Sequence, residues 1–405
     1  MTTQPANNTP KRHCMVVQAF YPLAETRVQR QAEALAARGY EVDVICLRLP
    51  DEPPQEQDRG VQVHRLPVSQ VEIDSKIGFI LRILNYLHFL ILATFKLVQL
   101  HRRRPFTTVQ VHNLPDFLVF CALPLKLRGV PVILDLHDLM PEFYTTLTGK
   151  DMSHWLTRLV IWQEQLSCRF ANHVITVTEL WRRSLIERGL PAQKVSVVMN
   201  VPDDDIFHKP AGDDAPKDNG HFRLLYYGSQ TYRYGVDLIL KAADRLRNHI
   251  PELLVNFHGW GDYHDTLKEL AEELDLGDHV RFNADFVPLA DLPQMISAAD
   301  VGIVPYRRNQ FTDGILPTKL MEYAALGMPV VVARTPVIED YFDETMVEFV
   351  AADNVDELAE SILKLYRDRS RRETLAKNIH KFNEQYNWTR LSNDYVALIE
   401  RLANA

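Results

Sequence analysis

The sequence predicts an α/β protein made of two doubly wound parallel sheets in series, and three observations carry that expectation. The chain has 405 residues, too many for one hydrophobic core, so two domains of roughly 200 residues are expected. Short apolar runs of strand length alternate with helical patterns twice over, once before residue 200 and once after it. Between the two rounds, residues 201–220 are dense in Asp, Pro, Gly and Lys, the composition of an interdomain linker.

The first domain is expected over residues 13–200. Residues 1–12 are polar, read as a disordered tail, and lack the apolar core of an export signal. His13–Phe20 is a strand, Thr26–Arg38 an Ala-rich helix closed by Gly39, and Glu41–Leu47 a second strand, which together start a right-handed parallel unit. The loop Tyr21–Glu25 has no glycine and so is not a phosphate cradle. Arg27 and Arg30 just behind it either reach a ligand or lie on a solvated helix face.

Lys76–Leu100 reads as a helix of about seven turns. Gly78, Arg82, Asn85, Lys96 and Gln99 form a narrow polar stripe, and apolar residues cover the rest, more than one packed face consumes. The polar residues interrupt it too often for a bilayer span, and Arg102, Arg103 and Arg104 follow at once. Two readings stand: burial in the core, or shallow insertion beside anionic lipid head groups.

Val109–His112 is a strand running into Asn113-Leu114-Pro115-Asp116, and Pro131–Leu136 one running into His137-Asp138-Leu139-Met140-Pro141-Glu142. In open parallel sheets ligands bind at the carboxyl ends of strands, so these two clusters point to one cleft. His112, Asn113, Asp116, His137, Asp138 and Glu142 are its candidates. Helices Trp155–Phe170 and Glu179–Arg188, strand His173–Thr178 and a closing strand Val195–Met199 complete the round. Asp203, Asp204 and Asp205 that follow are solvated turn residues rather than a metal site.

The second domain, 221–388, alternates strand Phe222–Tyr227, helix Gly235–Arg247, strand Leu253–Gly259, helix Tyr263–Leu274, strand Val280–Phe282, helix Asp291–Ala298 and strand Val301–Val304. The turns Gly228-Ser229 and Gly259-Trp260-Gly261 stand at strand ends where backbone can approach a phosphate, with Arg233 beside the first. Asp313–Val332 (DGILPTKLMEYAALGMPVVV) holds a loop, a helix over Lys319–Leu326 and a strand. A helix starting there aims its free N–H groups above the sheet. Lys319 in the first turn suits phosphate and Glu322 suits ribose hydroxyls; alternatively the two are a solvated helix pair. Helices follow at 355–367 and 371–383, and a last one at 389–403 is expected to return to the first domain.

Composition, at 46% hydrophobic and 24% charged, is that of a soluble globular chain with net charge −8. Residues 1–200 hold 23 Lys and Arg against 18 Asp and Glu, leaving 22 against 35 for the rest, so the halves face different fields. Cys14, Cys46, Cys121 and Cys168 are widely spaced and expected as buried free thiols. A cytoplasmic protein without a nucleic-acid partner is the expectation, with a peripheral place on the inner membrane face following from the lipid reading of the long helix.

GYEVDVI, ILDLHDLMPE, VMNVPD, LLYYG with GVDLIL, AADVGIVPY and LPTKLMEYAALGMPVVV occur in an order that resembles the retaining glycosyltransferases of family 4, of the bacterial glycan-assembly type. That resemblance implies the GT-B fold, two Rossmann-like domains facing each other across a cleft. It also implies transfer of a sugar from a UDP- or GDP-linked donor to an acceptor hydroxyl with retention, with no cofactor and no metal. QVHNLPDF and DLHDLMPE are similar to members acting on membrane-linked acceptors, which would place a glycan or lipid-linked substrate against the first domain. Glu322 matches the second of the family's two spaced glutamates, which holds the ribose. The first falls at Gly314, so Asp313 or the backbone of Gly314, Ile315 and Leu316 must read the donor sugar. The family's phosphate-binding Arg and Lys match Ser229 and Tyr234, leaving Arg233 and Lys319 to supply positive charge beside Gly228 and Gly259. His137 matches the histidine facing the reacting sugar. Two competing functions fit the same frame, a sugar-nucleotide epimerase and a non-catalytic nucleotide-sugar-binding partner of a glycan assembly.

Overall fold

A computed structural model describes residues 11–23, 25–68, 76–208 and 220–404, with backbone alone for 76–80. Residues 1–10 of the expected tail and 209–219 of the expected linker lie outside what is described, and Arg12, expected in the tail, begins the first strand. The chain divides into two compact units, the first running to Met199 and resuming at Leu391, the second spanning Asn200–Arg390.

The first unit contains β1 (Arg12–Phe20), α1 (Thr26–Ala37), β2 (Glu41–Leu47), β3 (Gln55–Asp58), β4 (Val61–Leu66), α2 (Lys76–Arg103) and β5 (Thr108–His112). A 3-10 segment, Asp116–Ala122, leads into α3 (Leu123–Lys126) and β6 (Val132–Leu136). Then come α4 (Met140–Thr148), α5 (Trp155–Phe170), β7 (His173–Thr176), α6 (Glu179–Glu187) and β8 (Val195–Val197). The eight strands lie in the order β3-β4-β2-β1-β5-β6-β7-β8. All pairs are parallel except β3 with β4. The mainly apolar strands β2 and β6 are buried almost along their length, as a sheet covered on both faces requires, and each holds one buried acid, Asp43 or Asp135. The β3–β4 hairpin was not expected: Gln55–Asp58 is wholly polar, an edge strand turned back through Arg59 and Gly60, both at positive φ.

The second unit contains β9 (Phe222–Tyr227), α7 (Val236–Leu246), β10 (Leu253–His258), α8 (His264–Glu273), β11 (Val280–Asn283), α9 (Leu292–Ser297), β12 (Val301–Val304) and α10 (Thr318–Ala325). It goes on through β13 (Val330–Ala333), α11 (Pro336–Glu339), β14 (Glu348–Val350), α12 (Val355–Arg367), α13 (Arg369–Asn378) and α14 (Lys381–Gln385). Its sheet is parallel, in the order β11-β10-β9-β12-β13-β14. The last helix, α15 (Trp388–Ala403), buries Tyr395, Val396, Leu398 and Ile399 among Met15, Val28 and Val44 of the first unit. Its Tyr395 hydroxyl donates to Gln110 Oε1 at 2.7 Å.

Both doubly wound sheets reverse direction next to their first strand, between β1 and β5 in one and between β9 and β12 in the other. Such switch points leave a crevice above the carboxyl ends of the strands.

The long apolar helix has one face in the core and one face outside it. Phe89, Ala93 and Leu97 of α2 are fully buried, whereas Leu84, Leu87, Ile91 and Phe95 are exposed. By length and composition Leu81–Arg103 is, among the described residues, a helix apolar enough to cross a membrane, with 22% of its apolar window buried. Its buried face packs it against the first unit. The basic run that follows is not uniformly free. Arg102 and Arg103 are exposed, but Arg104 pairs with Glu41 and its carbonyl accepts from Arg12, so Arg104 serves the fold. All four cysteines are buried free thiols.

Candidate functional site

In the second unit three loops and a helix start meet at the switch point, and glycine is what lets them meet. A Cβ on Gly259 would lie 2.4 Å from the Gly228 carbonyl oxygen, and one on Gly235 would lie 2.0 Å from that of Pro305. Both have positive φ, 114° and 66°, which other residues rarely adopt. The loop after β9 is thus clamped between those after β10 and β12.

Lys319, in the first turn of α10, points into this junction and is 6% exposed. Its Nζ lies 3.8 Å from the ring centre of Tyr226, 5.6 Å from that of Tyr234 and 5.7 Å from that of Tyr306. Burial lowers its pKa to about 7, with Glu322 pulling the other way. The ring faces offset part of the lost hydration. Arg233, on the 3-10 turn before α7, stacks on the same Tyr234 at 5.3 Å and on Phe311 at 5.9 Å, and its buried Nε has no partner. Among the described residues neither cation forms an ion pair. The contrast with Arg307 is sharp: that guanidinium donates to both oxygens of Asp237 at 2.7 and 2.9 Å and pairs with Asp353. A unit rich in carboxylates has left two converging cations without one, the electrostatic form of an anion site.

Around them the other candidates take distinct positions. Glu322 is one turn beyond Lys319, its carboxylate fixed by the Tyr227 hydroxyl. Gly228 and Ser229 are exposed at the mouth, and the Ser229 carbonyl accepts from Tyr226 at 2.6 Å. Asp313 disagrees with its expected role, because its carboxylate receives Arg308 at 3.0 and 2.8 Å. The N–H groups of Asp313 and Gly314 are also spent, on Asn309 and Phe311 carbonyls. Of the residues nominated to stand in for the missing glutamate, Ile315 and Leu316 keep N–H groups with no acceptor among the described residues.

The first unit gathers its groups around Asp135, a fully buried carboxylate inside an otherwise apolar strand. Such a charge persists only if paired. Arg27 donates to it through Nε at 3.2 Å and Nη2 at 2.8 Å, Gln31 at 3.0 Å and Gln110 at 3.1 Å. Burial opposes ionisation, yet Arg27 and a hydrogen bond from His112 hold Asp135 well below the usual carboxylate range. Arg27 is therefore a structural partner, not a ligand contact. His112 Nδ1 lies 3.3 Å from Asp135 Oδ2 and 3.0 Å from His137 Nε2. With Asp135 ionised, His112 carries its proton on Nδ1, and His137 Nε2 accepts. His137 is then the Nδ1–H tautomer. The buried Nε2 of His112, which has no partner, is left as an acceptor, the less costly orphan. His137 is 20% exposed at its side chain, and burial lowers its pKa to about 3, so it is neutral.

His112, Asp135 and His137 bring three ligand atoms within 4.8 Å, a metal-like spacing the sequence did not reveal. A dication there would have to displace the Arg27 fork, and the donor set suits a hydrogen-bonded relay better. The remaining candidates of the two clusters are corrected. Asn113 is buried, donates to Asp116 at 2.9 Å and to the Asp138 carbonyl at 2.6 Å, and accepts from the His137 N–H at 2.7 Å. Asp116 is fully buried, its pKa raised to about 7 by burial, and Glu142 is buried against Arg188, which also holds Glu164. These three brace the loops, because burying so many carboxyls leaves them no path to a ligand; only His137 and Asp138 stay accessible. Sequence reading missed Glu25. It sits beside the switch point with its pKa raised to about 7 by burial and by Asp135 and Asp138, against Arg27.

Residues 24–200 match the "Glycosyl transferase 4-like domain" family and residues 212–382 match "Glycosyl transferases group 1". The chain belongs to the family 4 glycosyltransferases. This GT-B transferase is 22% identical over 370 residues to a chitobiosyldiphosphodolichol beta-mannosyltransferase of Debaryomyces hansenii, covering 84% of this chain and 76% of that one. It is 25% identical over 203 residues to the amylovoran biosynthesis glycosyltransferase AmsK of Erwinia amylovora, 47% of each chain. Among solved structures, sucrose-phosphate synthase from Thermosynechococcus elongatus aligns with a TM-score of 0.77 at 18% identity, over 97% of the transferase and 99% of that chain. HepE of Anabaena, solved with UDP-glucose, aligns with a TM-score of 0.70 at 15% identity, over 96% and 99%.

Proposed function

We propose that this glycosyltransferase moves a sugar from a UDP- or GDP-linked donor onto a lipid-linked or polysaccharide precursor, with retention and without a metal. The observation that carries the donor assignment is the pair of unpaired cations, Lys319 and Arg233, meeting on Tyr234 beside Glu322. They receive the diphosphate, Glu322 takes the ribose hydroxyls, and the free N–H groups of Ile315 and Leu316 take the sugar where the family has a glutamate. In the reaction the bond from the anomeric carbon to the diphosphate oxygen breaks as the acceptor oxygen bonds to the same face. The acceptor proton passes to the departing phosphate oxygen. Lys319 and Arg233 stabilise the charge that develops on that oxygen, and loss of one such donor typically costs about 3 kcal/mol at the transition state. His137, neutral with an Nδ1–H to give, orients a sugar hydroxyl.

The lipid-linked acceptor draws support from the names of two relatives, the chitobiosyldiphosphodolichol enzyme and a mycobacterial phosphatidylinositol monomannoside mannosyltransferase, and from the exposed apolar face of α2. AmsK supports the polysaccharide alternative. The test is release of UDP or GDP from a panel of nucleotide sugars with a short-chain polyprenyl diphosphate sugar as acceptor. Lys319→Ala should lower turnover about a hundredfold, Glu322→Ala should raise KM, and His137→Ala should lower turnover in a folded protein. Full activity in all three would place the chemistry elsewhere.

A further inference from the structure

The first unit exposes far more large apolar side chains than the second, and they gather on three neighbouring segments. On α2 the apolar face opposite its buried side is open, with Phe95 70% exposed. On α5, Trp155, Leu159, Trp162 and Leu166 are spaced four, three and four residues apart, one helix stripe, and the two tryptophans are 67% and 61% exposed. Between these helices Leu123 and Leu127 of the α3 segment stand out, Leu127 at 78%. The three are one body. Tyr86 of α2 meets Phe117 edge-on at 6.4 Å, and Phe120 of the same 3-10 segment meets Phe170 of α5 at 4.9 Å.

The charge around this face is predominantly positive; the exposed acid nearest Trp155 is Asp151, which accepts from Ser153 and the His154 N–H. From Leu81 to Arg103 there are four cations, Arg82, Lys96, Arg102 and Arg103, and no carboxylate. The exposed charges of α5 are Arg158 and Arg169, its one acid, Glu164, being fully buried on Arg188. Arg128 adjoins Leu127. A second copy of the chain would bring the same positive rim against itself, whereas a bilayer with anionic head groups offers apolar depth at the centre and negative charge at the edge.

We propose that α2, α3 and α5 together form a docking face for an anionic lipid bilayer, with Trp155 and Trp162 seated at the head-group boundary and the arginines on lipid phosphates. This deepens the lipid-linked reading of the acceptor and rests on it only for its purpose. Docking through this face requires no segment that crosses the bilayer.

The test is tryptophan fluorescence of the full chain with vesicles of phosphatidylcholine, with and without phosphatidylglycerol, carrying bromine on the acyl chains. Blue-shifted, quenched emission is expected with the anionic vesicles. Binding, read by co-sedimentation with the same vesicles, should fall about tenfold or more in the Trp155→Gln/Trp162→Gln variant, and the anionic preference should vanish in Arg102→Glu/Arg103→Glu. Circular dichroism and calorimetric titration with UDP and GDP on each variant report the fold and the donor site separately, so a failed donor assignment would show there while quenching persisted. Wild-type protein left unquenched would overturn the proposal, as would undiminished binding by the tryptophan variant. So would concentration-dependent dimerisation abolished by the same substitutions.

Discussion

Lys319 gives the donor-site assignment a consequence that can be measured without knowing the acceptor. Its side chain is buried among Tyr226, Tyr234 and Tyr306, and its pKa stands at about 7 against an ordinary 10.5. A diphosphate placed there favours the ammonium and raises that pKa again. Nucleotide binding is then coupled to proton uptake, in a window bounded below by about 7. At pH 7 roughly half of the free protein already carries the proton; at pH 8 about nine-tenths of a proton must be taken up, and at pH 9 nearly one. Affinity should fall about tenfold per pH unit above pH 8, and about 50-fold from pH 7 to pH 9. The phosphates themselves, titrating near pH 6, are ionised throughout this range. Calorimetry of UDP and GDP binding in two buffers of different ionisation enthalpy reads the proton number directly, with Lys319→Met as the control that should bind weakly and without pH dependence. The same shift has a stability counterpart. In the nucleotide-free protein the unfolded lysine keeps its proton up to about 10.5 while the folded one loses it near 7. Wild type should therefore gain stability relative to Lys319→Met as pH rises between those values. Heats that do not depend on buffer, with flat affinity, would refute the reasoning.

Three further outcomes follow from the geometry. Gly235→Ala puts a Cβ 2.0 Å from the Pro305 carbonyl at positive φ, so the two switch-point loops must part; nucleotide affinity should drop at least tenfold, by titration, with the melting temperature lowered. His112→Phe removes the donor that sets the tautomer of His137, so nitrogen NMR shifts of His137 should change from the Nδ1–H form to a mixture, and turnover should fall by about tenfold in the still-folded variant. Glu25→Gln separates two chemistries. With the leaving phosphate as base, the variant keeps most activity and the product shows the donor's anomeric configuration by NMR; loss of about a hundredfold or more, with inversion, would assign the base to Glu25.

The sequence made the architecture legible because the alternation of apolar strands and amphipathic helices is a local pattern, and β2, β9, α5 and α12 fall where it placed them. It missed β3, whose residues carry no apolar alternation, its hairpin partner β4, and β14, three residues long. Lys319, Glu322 and Arg233 were singled out by the motif order, as His137 was in the first unit, and gather at one switch point in the second. What could not be read was which polar residues are consumed by the fold. Asn113, Asp116, Glu142, Arg27 and Asp313 look equally available in one dimension, and only the pairing with Asp138, Arg188, Asp135 and Arg308 removes them. One signal was present: Asp135 interrupts the strand VILDL, and a carboxylate inside a buried strand requires a cation from elsewhere in the chain.

The most direct test of the account is a calorimetric titration of the full chain with UDP, GDP and ADP in chelator, repeated on Glu322→Ala and on Lys319→Ala/Arg233→Ala. The account predicts binding of UDP or GDP in the wild type, weakened about tenfold or more without Glu322 and abolished without the two cations. Binding retained in the double variant would contradict it, as would binding that appears only when a divalent metal is restored.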